Sequence, residues 1–157
     1  MPTSISVADL AKETLAKKTL QQVQASASAV ATQADQLGMI ADSKASSDSH
    51  LAKLTVLKAE VNRMGQEMSN LEAERESLAP WEQQAVDKVL RLLQATAANT
   101  DNAIAYFNEN RHSLWTEAYR DYAHSVRQDS AQISKTLKDY LKYDKLREQE
   151  VRAEERI

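Results

Sequence analysis

Residues 54–78, LTVLKAEVNRMGQEMSNLEAERESL, carry the strongest periodic signal in the chain. Leu54, Leu57, Val61, Met64, Met68, Leu71, Arg75 and Leu78 follow one another at alternating steps of three and four, without a slip. At 3.6 residues per turn this spacing keeps all of them on one side, so the stretch predicts an amphipathic helix with its apolar stripe against partner helices. Gly65 interrupts the stretch at a local cost of about 1 kcal/mol relative to Ala. Pro80 sets the end. It has no N–H and disfavours a helical residue before it, so the helix should stop near Ala79 and Pro80 should occupy the first turn of the next. Arg75, the charged residue on the stripe, is near enough to that end to carry its guanidinium to solvent.

Working toward the N-terminus, residues 41–50, ADSKASSDSH, break the pattern. Ser and Asp offer the backbone competing hydrogen bonds and favour caps and turns. With Gly38 just upstream, this segment is read as the first loop. The helix before it is expected to begin at Ser6, where Ser6 and Asp9 resemble a capping box. Its inward stripe runs Leu20, Val23, Ala27, Val30, Ala34 and Leu37. Toward the C-terminus, Val86, Val89, Leu93, Ala97, Thr100, Ile104 and Phe107 mark a third helix. The polar segment 108–113 then predicts a turn with Ser113 as the N-cap of a fourth. That helix carries Tyr119, Tyr122, Val126, Ile133, Leu137 and Tyr140. Beyond Lys145 the stripe thins to Leu146 and Val151, and residues 146–157 read as a frayed, charged helical extension supported by Glu148 with Arg152.

Composition agrees with helices throughout. The chain has only two glycines and two prolines in 157 residues, which leaves little material for a β-rich fold with many turns. The fold class is therefore all-α, a single domain over residues 1–157. Short connections between long amphipathic helices predict an antiparallel up-down-up-down four-helix bundle. The alternative is a hairpin of two very long helices bent at Pro80, which would reach four-helix packing as a dimer.

Several function classes are disfavoured. Twenty basic residues stand against 23 acidic ones, and residues 111–157 hold 10 Lys or Arg with 9 Asp or Glu. Such a balance describes an ion-paired helix face rather than a phosphate-binding stripe, so no nucleic-acid partner is expected. The absence of cysteine excludes disulfides, thiolate catalysis and Cys-type zinc sites. No apolar run is long enough to span a bilayer, and the N-terminus has no signal-peptide pattern. A cytoplasmic location is the default, an exported one if the chain is a trimmed mature form.

Two acid–histidine pairs, Glu109 with His112 and Asp121 with His124, have the Glu-x-x-His spacing of carboxylate-bridged di-iron bundles. They fall beside the apolar stripes, and the first lies in the presumed turn. No inward carboxylate is apparent to complete a metal site or to supply a general acid and base. Both are read as surface pairs, with no metal ligand, cofactor or catalytic residue assigned. His50, likewise, is placed on the surface or in a loop. Residues 21–36, QQVQASASAVATQADQ, resemble the long helices of bacterial chemoreceptors in composition, but the paired Glu/Gln pattern and hairpin tip of those helices do not occur.

All eight aromatic residues follow residue 80, and five of them, Tyr106, Phe107, Trp115, Tyr119 and Tyr122, surround the turn between the third and fourth helices. In an up-down-up-down bundle this turn shares an end with segment 41–50. The expected function is a non-enzymatic protein-interaction or scaffolding module that contacts a protein partner or a second copy. Its contact surface is placed at Tyr106, His112, Trp115 and Tyr119, on the rule that function gathers on longer loops held by a rigid scaffold. The alternative is a sensor or carrier domain binding a small molecule or metal between its helices. A small-molecule ligand is the lesser expectation.

Overall fold

The computed structural model describes residues 7–43 and 45–155, with side chains from Leu15 onward. Four helices run in series: α1 (Val7–Ala41), α2 (Ser47–Ala73), α3 (Pro80–Glu109) and α4 (Glu117–Glu155). No strand occurs among the described residues. α1 packs on α2 and α4, and α3 packs on the same two, so the helices form a closed ring of neighbours. The chain is an all-α four-helix bundle. It reverses after α1 and after α3 as well as at Pro80, so the two-helix hairpin is not adopted.

Local chemistry sets the helix ends. The expected capping box at Ser6 lies outside the described residues. The first loop is shorter than the 41–50 segment suggested, because Ala41 still belongs to α1 and α2 begins at Ser47. Ser46 is the N-cap, and its hydroxyl accepts from the Ser49 N–H at 3.4 Å. α2 stops at Ala73, six residues earlier than Pro80 alone requires, and a 3-10 turn at Arg75–Ser77 leads into the connection. There Arg75 donates two hydrogen bonds to Asp87, at 2.5 and 2.9 Å. Pro80 opens α3 as expected, and Glu82 accepts the Ala79 N–H at 2.9 Å. Ser113 does not cap α4, which starts at Glu117; its N–H instead donates to Asn110 O at 2.8 Å within the turn.

The α1 stripe is fully inward and extends to Ala16 and Ala41. On α2, Leu54, Leu57, Val61, Met64, Met68 and Leu71 are all buried. The α3 and α4 stripes are rotated slightly from the expected ones. Ala97, Ile104, Tyr122 and Tyr140 flank the core half-buried, while Thr96, Ala103, Ala123 and Ser130 occupy it. The buried hydroxyls are satisfied within their own helices: Thr96 donates to Leu92 O at 2.9 Å, Thr100 to Thr96 O at 2.8 Å, and Ser130 to Val126 O. Back-bonding of this kind removes the penalty that an unpaired buried hydroxyl would carry.

Cross-helix polar contacts fix the registers. Ser28 of α1 meets Ser134 of α4 at 2.7 Å, and Arg120 of α4 meets Asp42, just past α1, at 2.5 Å. Leu15 shares a groove with Glu74, and Trp81 shares one with Arg147. The first turns of α1 and the last turns of α4 therefore each extend past the α2–α3 connection, by roughly two helical turns. The 146–157 segment expected to fray is helical through Glu155, with exposed side chains over its described residues. Glu148 lies 3.6 Å from Lys17 rather than pairing with Arg152.

Two carboxylates do face inward, contrary to the reading that none does. Glu82 is fully buried in the first turn of α3, and Asp144 is 2 % exposed, held by Lys17 at 2.9 Å and Arg147 at 3.5 Å. Polar heptad positions such as Asp144 look like surface in a sequence, because nothing in the chain marks the lysine that reaches them from another helix.

Candidate functional site

The loops after α1 and after α3 come together at one end of the bundle. Arg120 in the first turn of α4 pairs with Asp42 and ties the first loop down. Between the loops lies an open cleft of about 570 Å³, whose lining includes Asp42, Ser47, His50, Arg111, His112 and Trp115.

The floor of this end is a polar contact across the bundle's diagonal. His50 Nδ1 lies 3.0 Å from the Tyr119 hydroxyl, and their rings are 5.5 Å apart. Tyr106 stacks obliquely on Tyr119 at 5.7 Å, and its hydroxyl is bonded to Thr116 and to the Ser113 carbonyl. Burial raises the Tyr119 pKa above the ordinary tyrosine value and lowers that of His50. Tyr119 is therefore a protonated hydroxyl beside a neutral imidazole. Tyr119 is fully buried and its O–H has no other acceptor among the described residues, so we assign it as the donor to His50 Nδ1, the tautomer with the ring proton on Nε2. In that tautomer the imidazole lone pair is already occupied, and the ring offers its remaining nitrogen as a donor.

The four residues assigned from sequence to a contact surface separate into two groups. His112 and Trp115 are exposed, Trp115 at 68 %. Tyr119 is fully buried and Tyr106 half-buried, so Tyr119 is a strut of the core and not a contact residue. The cause is the mixed character of tyrosine, whose hydroxyl suits a surface equally well until a buried partner is known. His50, read as a surface or loop residue, is 2 % exposed. A sequence signal for it existed: His50 stands four residues before Leu54, continuing the α2 stripe upstream.

The acid–histidine pairs do not converge. Glu109 and His112 are both exposed at the end of α3, and His124 is exposed with Nδ1 3.3 Å from the Arg127 guanidinium. Among the described residues, no group of three or more His, Asp or Glu could hold a metal ion. No helix among them is long and apolar enough to cross a membrane. At the other end, a second groove of about 570 Å³ between α3 and α4 is lined by Trp81, Lys88, Tyr140, Tyr143 and Arg147.

Comparison of the chain with protein-family models, with curated proteins and with solved structures finds no match.

Proposed function

We propose that this bundle is a non-enzymatic protein-interaction module that meets its partner with the loop end. The observation that carries the reading is Trp115, a large indole 68 % exposed on a short loop whose neighbours are fixed. Leu114 on one side is buried, and Thr116 on the other is bonded to Tyr106. An aromatic side chain presented from a rigid base loses little conformational freedom on binding, which is why Trp is enriched among interface hot spots. Met39 and Leu51, near the same end, are also exposed apolar residues. A role without catalysis is supported by the state of His50, whose Nδ1 lone pair is taken by Tyr119.

Site-specific photo-crosslinking in the native host tests the reading. A photoreactive residue at position 115 should trap a discrete adduct, and one at position 143, exposed at the far end, should not. Adducts confined to position 143 would contradict it.

A further inference from the structure

We propose that the cleft between the two loops binds a carboxylate carried on an aromatic body. The inference deepens the preceding reading by naming the chemistry a partner would bring, and it rests on that reading only for who carries the carboxylate.

Three donor groups border the cleft among the described residues. His50, almost wholly buried, lines it, and with Nδ1 committed to Tyr119 the nitrogen left to address the cleft is Nε2, which bears the proton. Arg111 also lines the cleft, with its guanidinium carbon 5.1 Å from the centroid of the Phe107 ring. That stacking orients a planar fork suited to bidentate carboxylate recognition. Among the described residues Arg111 forms no ion pair. The third donor is the first turn of α2, where Ser46 takes the Ser49 N–H and the Ser47 and Asp48 N–H groups have no intrahelical acceptor.

Charge and shape decide between anions. Asp42 lines the same cleft, and Asp48 stands in the first turn of α2. Asp42 is paired with Arg120, so Asp48 is the carboxylate that opposes a dianion such as phosphate more than a monoanion. Leu114, Trp115, Ala41 and Ala45 supply apolar wall, and the volume is within the range of small-ligand sites. A carboxylate on a ring places its charge at Arg111 and His50 and its body beside Trp115.

Two probe pairs test this by ¹H–¹⁵N NMR of the whole chain: phenylacetate against phenylacetamide, and a tripeptide ending in Phe with a free against an amidated C-terminus. Shifts should cluster at Ser47, Asp48, Arg111 and the His50 ring, with the acid binding at least tenfold more tightly than its amide in one pair or both. Preference in the phenylacetate pair identifies a free small acid as sufficient; preference in the peptide pair alone identifies a chain terminus. Arg111→Gln should remove most of the preference while leaving the remaining spectrum unchanged. Equal affinity of acid and amide in both pairs, or shifts spread away from the cleft, would overturn the proposal. Carboxylate binding without crosslinks at position 115 would sink the interaction reading and leave this one standing.

Discussion

His50 Nδ1 and the Tyr119 hydroxyl, 3.0 Å apart, join the first turn of α2 to the first turn of α4, two helices that stand diagonally across the bundle. Neither helix is the other's neighbour in the ring, so this bond holds the loop end together where apolar packing alone gives no directional constraint. Tyr119→Phe should destabilise the fold by roughly 1–3 kcal/mol, because it leaves a buried ring nitrogen without its donor. Combining it with His50→Leu should cost less than the sum of the two single changes, with a coupling of about 1 kcal/mol in a double-mutant cycle. Strictly additive effects in chemical denaturation would refute the pairing.

The same pair sets a pH dependence. The pKa of His50 in the folded chain is lowered from 6.5 by burial, so the unfolded chain takes up a proton first as pH falls. Stability from this group is fully present above the unfolded pKa and is lost as pH falls through 6.5 toward the folded value. Denaturation midpoints should therefore drop between neutral pH and pH 5, and His50→Gln should flatten the drop. Alanine at the exposed His112 and His124 should leave the profile as it is. A wild-type midpoint constant across this window would show that His50 is not desolvated.

Much of the architecture was legible in the chain because apolar periodicity carries it. The unbroken stripe from Leu54 to Leu71, with Pro80 beyond it, fixed α2, its inward face and the turn after it. What escaped was polar residues on inward registers. His50, Glu82 and Asp144 occupy stripe or near-stripe positions. His50 and Asp144 are made tolerable inside by groups that no local pattern reveals, Tyr119 from α4 and Lys17 from α1, whereas Glu82 accepts the local Ala79 N–H three residues before it. Burial of such residues is a property of pairs brought together by the fold. Exposure at the loop end was half legible for the same reason, since Trp115 and Tyr119 are both aromatic and flank one turn but differ in what lies beneath them.

Lys17 and Asp144 offer a second test of that principle. Asp144 is nearly inaccessible, and its carboxylate hydrogen-bonds to Lys17, which raises the lysine pKa. Lys17→Met should destabilise the protein by roughly 1–3 kcal/mol, since it leaves a buried charge with only the more distant Arg147. Adding Asp144→Leu should restore part of the loss. A double variant less stable than Lys17→Met alone would contradict this account.

Core packing predicts a larger effect. Leu93 is buried on α3, and Leu93→Ala should cost about 2–5 kcal/mol, the range for large-to-small changes in a close-packed interior. Urea titration reads it directly. A midpoint indistinguishable from wild type would place Leu93 outside the core.

The functional claim is tested most directly by the affinity of the partner trapped at position 115, measured by calorimetry for wild type, Trp115→Ala and Tyr143→Ala. Both substituted side chains are exposed, at 68 % and 57 %, so neither change should disturb the fold. The account predicts that Trp115→Ala weakens binding at least tenfold, or about 1.4 kcal/mol, while Tyr143→Ala binds as wild type does. Undiminished affinity of Trp115→Ala, together with weakening by Tyr143→Ala, would contradict it and move the contact surface to the opposite end of the bundle.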